Sequence, residues 1–239
     1  MDQDTNLMGN RNHFQTTRWN LVSRSQDRDS LNELISIYWK PLYFFVRQHG
    51  IDNESSKDIV QEFLTRAIER GLISKADPTR GRFRTFLISA LKNFIRDWAK
   101  AGGRRKRGGG RPMASLDFLR GENDYILQAN PTETPEVVLN RAWARGLWDR
   151  ALAELQCAPE QLKAFRLYMA EKDYRSIAAA TGLSETEVNS AIRRVKSELK
   201  AVITSHIRET VSSEEELEAE LTEFKCLLTR RPRSRRSTG

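Results

Sequence analysis

Every apolar pattern of useful length in this chain repeats with a helical period, and none alternates residue by residue as a half-buried strand does. That periodicity restricts the fold to the all-α class. The helical pattern falls into two blocks, residues 17–100 and 136–204, so the chain is expected to form two small helical domains. Between them lies a flexible linker, 101–135, opened by the Gly/Arg-rich run "GGRRKRGGGRP" and carrying "SLDFL" as its apolar knot. Residues 1–16 are polar and read as disordered; 205–239 read as a helical extension with a basic tail, "RRPRSRR". Pro135 opens the second block as a first-turn residue.

Of 239 residues, 38% are hydrophobic and 30% charged, which favours small cores and much solvated helix surface. A net charge of +8 points to a polyanionic partner, with ribosomal RNA, DNA and acidic lipid all consistent. The polar start "MDQDTNLMGNRN" lacks the apolar core of a signal peptide, and the run "LYFFV" (Leu42–Val46) is too short to span a bilayer. Cys157 and Cys226 form no CxxC pair, and His13, His49 and His206 are scattered. No catalytic or metal-ligand spacing emerges, so neither an enzyme nor a cofactor protein is expected, and a reducing cytoplasm is the default.

The charge is concentrated. From Arg80 to Arg111 there are eleven basic residues against one acid, Asp97. Placed every 100°, Leu87, Leu91, Phe94, Ile95 and Trp98 share one arc and should face a core. Thr85, Ser89, Lys92, Asn93, Arg96 and Lys100 lie opposite. Phe86 falls among these polar residues, and an exposed aromatic beside cations suits a surface that stacks unpaired bases while holding phosphates. Arg84 falls on the apolar arc, so the helix is expected to start after it and Arg84 to belong to the preceding loop. The alternative for Phe86 is packing beneath that loop.

The sharpest motif is "DYRSIAAATGLSETEVNSAIRRVKSEL" (Asp173–Leu199). A short helix with Ile177 and Ala178 ends at Thr181-Gly182-Leu183, and Ser184 with Glu187 forms a capping box for the next helix. Val188, Ile192, Val195 and Leu199 line one face of that helix. Thr186, Ser190, Arg193 and Ser197 lie opposite, flanked by Asn189 and Arg194. This reads as a helix-turn-helix that presents small polar and basic groups to a major groove. Leu162, Phe165 and Met169 on the preceding helix should cover it.

Together these blocks resemble a bacterial RNA polymerase sigma factor of the extracytoplasmic-function (ECF) type, over roughly Thr16 to Leu228. The resemblance rests on "YWKPLYFFVR", "SSKDIVQEFLTRAIER" and "DPTRGRFRTFLISALKNFIRDW" in the first block, and on Ala158–Leu199 in the second. The opening "TTRWNLV", the "KRGGG" linker and "EEELEAELTEFKCLL" are similar to a planctomycete-like branch. The resemblance implies that Asp58, Gln61, Glu62, Thr65 and Glu69 bind the clamp helices of the polymerase largest subunit. It implies that Arg82, Arg84, Phe86, Ser89, Lys92, Asn93 and Arg96 hold melted −10 DNA. Arg175, Ser184, Thr186, Asn189, Ser190, Arg193, Arg194 and Ser197 would read −35 duplex. Core polymerase and promoter DNA are the implied partners, with room for an anti-sigma protein or another regulator, and no membrane. Asn189-Ser190-Ala191 departs from the family's usual basic residue followed by Ser-Arg, which leaves the −35 preference open.

Two other readings fit part of the pattern. A stand-alone helix-turn-helix regulator explains the second block, and an RNA-binding adaptor explains the arginine-rich run. The segment 212–228 has Leu217, Leu221, Phe224 and Leu228 at helical spacing, and either packs on the second domain or serves as a regulatory helix.

Overall fold

The structure is a computed structural model that describes residues 28–77, 81–100, 116–128, 130–208, 211 and 213–229. The N-terminal segment with "TTRWNLV", the "GGRRKRGGGRP" run, Arg80 and the basic tail lie outside the described residues. Among the described residues there are nine α-helices and no strand: α1 (Arg28–Gln48), α2 (Asn53–Glu69), α3 (Phe83–Lys100), α4 (Phe118–Gln128), α5 (Pro135–Glu154), α6 (Pro159–Met169), α7 (Tyr174–Thr181), α8 (Glu185–Arg208) and α9 (Glu214–Thr229). A 3-10 turn, Ile73–Lys75, follows α2.

The centre of the molecule is α1, and its sequence explains why. Leu42, Tyr43, Phe44, Phe45 and Val46 are five consecutive apolar residues, which at 100° per residue cover the whole circumference of the helix. One neighbour cannot bury such a helix. Here α2, α4 and α5 all pack on it, and each of the five residues is at most 1% exposed.

This arrangement joins the two blocks. One apolar cluster runs from Leu34 through Leu91 to Val138, Trp143, Leu199, Phe224 and Leu227. The expected picture was two domains on a flexible tether; instead α5 lies along α1, and α9 packs on α5 and α8. A small cluster of Ala164, Ile177, Val188 and Ile192 stands apart and binds α6, α7 and α8 together. Within it, the expected cover of Leu162, Phe165 and Met169 is rearranged. Ala164 takes a buried place, Phe165 joins the large cluster, and Met169 is 53% exposed.

The segment 118–128, expected inside the linker, is the helix α4. Its docking on α1 mixes Phe118, edge-on to Trp39 and Tyr43, with polar pairs, so no continuous apolar stripe announced it. The Glu122 carboxylate accepts from Arg47 at 2.8 and 3.0 Å and also from the Tyr43 hydroxyl, while Asp124 pairs with Lys40. Gly121 permits the close approach: a Cβ there would meet the Trp39 ring at 3.0 Å.

Candidate polymerase and nucleic-acid interfaces

Helix α2 starts at an Asp52 N-cap, whose side chain accepts from the Ser55 N–H at 2.9 Å. Its inner stripe of Ile59, Val60, Phe63, Leu64 and Ala67 is buried. Asp58, Gln61 and Glu69 are exposed on the outer side, with Glu62 and Thr65 half-buried. Glu62 is ion-paired with Arg66, one turn on. Arg66 in turn lies over the Phe94 ring of α3, 5.2 Å from its centroid. The result is a hydrogen-bonding, acidic strip on a rigid helix, suited to a basic protein partner and poorly suited to DNA.

Beside that strip, α2 and α3 line an open groove of about 440 Å³. Phe63, Ala67, Leu72, Phe86 and Phe94 supply its apolar lining, and Arg66, Arg70 and Lys75 contribute cations. Phe86 is half-buried rather than fully exposed, its ring stacked on Phe83 with centroids 6.1 Å apart. Ser89, Asn93 and Arg96 are exposed beside it, the Arg96 guanidinium 3.3 Å from the Asn93 amide oxygen. Aromatic surface ringed by cations and amides is the chemistry that holds unstacked bases and their phosphates.

Arg84 is a correction. It was expected in the loop before the helix, but α3 begins at Phe83 and Arg84 is buried within its first turn. Its guanidinium carbon sits 4.0 Å from the centroid of the Trp143 ring, and its Nη2 is 3.4 Å from Glu220 and from Glu223 of α9. The phase assignment to the apolar arc was sound; the inference that a charge cannot stay there was not. Arg82 is also engaged by α9: its Nε is 2.6 Å from Glu220, and its Nη1 pairs with Glu223. Lys92 reaches Glu136 on α5 at 2.5 Å, and that hydrogen bond holds the Glu136 carboxyl below the usual carboxylate range.

Sequence reasoning missed these three acids, although a signal existed. Glu220 interrupts the apolar stripe of α9 between Leu217 and Phe224, just as Arg84 interrupts that of α3. Opposite charges placed singly on two apolar stripes are a hint that the stripes meet.

In the second block, Asp173 caps α7, accepting from the Ser176 N–H at 2.9 Å and its hydroxyl at 2.7 Å, which lowers the Asp173 pKa. Gly182 then takes φ +75°, a left-handed conformation that lets α7 end and the chain turn. Glu187 accepts from the Ser184 N–H at 2.8 Å and the Ser184 hydroxyl at 2.7 Å, so the carboxylate is favoured. On α8, Val188, Ala191, Ile192, Val195 and Leu199 are buried. Arg175, Ser184, Thr186, Asn189, Ser190, Arg193, Arg194 and Ser197 are all exposed, and Arg194 is paired with Glu198 at 2.8 Å. The helix runs to Arg208, beyond the expected end of the recognition segment.

The first block is the part of the chain that resembles a known family. A family model described as Sigma-70 region 2 matches residues 34–105. The region 2 match spans most of α1 and all of α2 and α3, so it takes in both the acidic strip and the aromatic groove. The match likens the first block to that region and covers under half of the chain. Among curated proteins, no match to the chain is found. Among the described residues no group of three or more His, Cys, Asp or Glu is placed to hold a metal, and no helix is long and apolar enough to cross a membrane.

Proposed function

We propose that this chain is an ECF-type sigma factor, of a planctomycete-like branch, acting in the cytoplasm on nucleoid DNA. It docks on the clamp helices of core polymerase through Asp58, Gln61, Glu62, Thr65 and Glu69. Melted −10 bases are held at the groove between α2 and α3, where Phe86 stacks and Arg96, Asn93 and Ser89 pair with the strand. The exposed face of α8, with Arg175 of α7, reads −35 duplex as a helix-turn-helix. Any bond chemistry belongs to the polymerase. The carrying observation is that the region 2 match coincides with the helices that build the strip and the groove.

The test is core binding by the Gln61→Ala, Glu62→Ala double variant. Affinity should fall by about tenfold or more while helical circular dichroism is unchanged, since both side chains lie off the buried stripe. Normal core affinity in that variant defeats the docking assignment.

One observation favours a second reading. In this structure the α8 face is open while Arg82 and Arg84 are covered, as expected for a stand-alone duplex-binding regulator. Tight binding of the free chain to intact duplex, with no dependence on polymerase, would select that reading.

A further inference from the structure

We propose that α9 is an intramolecular latch whose carboxylates occupy the cations of the −10 surface and hold the chain in a closed state unable to grip single-stranded DNA. The proposal rests on the assignment of α3 to melted −10 DNA. Of the four cations assigned to that surface, Arg82, Arg84, Lys92 and Arg96, three are ion-paired with carboxylates from the second half of the chain. Glu220 and Glu223 stand three residues apart on one side of α9 and engage both arginines. Arginine meets carboxylate and phosphate with the same forked hydrogen-bond geometry, so these carboxylates and a phosphate compete for the same N–H donors.

The composition of α9 fits this role. It carries six glutamates against one lysine, so it presents a short polyanion to a basic site. Its apolar side locks the position: Phe224 meets Trp143 edge-on at 6.2 Å, and Trp143 carries the Arg84 guanidinium on its face. Glu136 of α5 closes the far end on Lys92.

The latch is also built to open. The Arg82–Glu223 pair is about one-third exposed on each side, so water and salt screen it. A ligand that needs the open state sees its affinity reduced by the open fraction. If about a tenth of molecules are open, apparent binding is weakened about tenfold, and releasing the latch restores it.

The test uses the full chain and a short fluorescein-labelled single-stranded DNA of mixed sequence, read by anisotropy. Glu220→Gln with Glu223→Gln should bind about five- to tenfold more tightly than the unaltered chain. Glu223→Gln alone, at a half-exposed position, should shift binding the same way and carries the test if the double variant loses helical structure. Arg96→Ala should weaken binding in every background. Spin labels at Cys226, which is exposed on α9, and at Thr85→Cys on α3, in a Cys157→Ser background, should move apart in the tighter-binding variant. Unchanged affinity in the glutamine variants, with Arg96→Ala still weakening binding, overturns the latch and leaves the −10 assignment standing. Tighter binding at an unchanged label distance also overturns it. Insensitivity to Arg96→Ala and to both glutamines removes the latch and the −10 assignment together.

Discussion

Arg84 and Glu220 each place a charge in the apolar stripe of a helix, at 5% and 2% exposure, and they share one cluster in which Arg82 also holds Glu220 and Glu223 also meets Arg84. Removing one partner of a buried pair leaves the other charge without compensation, whereas replacing both by apolar residues of similar size is often neutral or favourable. Glu220→Leu alone should therefore lower unfolding free energy by roughly 3 kcal/mol, the low end of the range for a broken buried pair, because Glu223 still approaches Arg84. Adding Arg84→Met should recover most of that loss in urea titrations. No recovery would mean that the pair is not the unit of stability. At Arg193, exposed on α8, Arg193→Ala should weaken −35-dependent binding roughly five- to hundredfold, the range for a lost base contact. An unchanged response to −35 substitutions would remove Arg193 from the reading face.

Among the elements, α8 and α4 mark the limits of what the sequence discloses. The stripe of α8 was legible from Val188 to Leu199 because its inward residues there are all apolar and its capping box is local. Ala191 escaped because it is too small to mark a face, and the buried Ile203, His206 and Ile207 lie beyond the motif. Helix α4 was not legible, since beside Phe118 and Tyr125 it docks through Glu122, Asp124 and a bare Gly121, and a face so rich in polar groups looks like solvated chain. This makes α4 sensitive to acid. Burial alone would raise the Glu122 pKa, but hydrogen bonds from Arg47 and Tyr43 outweigh it and the net direction is down. A carboxyl with a lowered folded pKa contributes stability above its unfolded value, about 4.5, and loses it as pH falls through the lower folded value. The Gly121 amide should accordingly report undocking of α4 below about pH 4.5 by NMR. Glu122→Gln should already be loosened at neutral pH and lack that acid step; an identical acid profile in both proteins would contradict the assignment.

For the molecule as a whole, the helical class was plain from periodicity, but the packing of the two blocks was not. The decisive clue lay in Leu42–Val46, a run that surrounds α1 and so demands neighbours on every side. Helix α2 supplies only part of that cover, and α4 and α5 complete it. The placement of Arg82 and Arg84 against α9 follows from the same packing and could not be read one helix at a time. The central claim, that this chain directs core polymerase to promoters, is tested most directly by transcription from genomic DNA with purified bacterial core enzyme, with and without the chain. The account predicts discrete new start sites that require the chain and are lost with Gln61→Ala, Glu62→Ala. Transcripts whose starts are the same with and without it would contradict the claim.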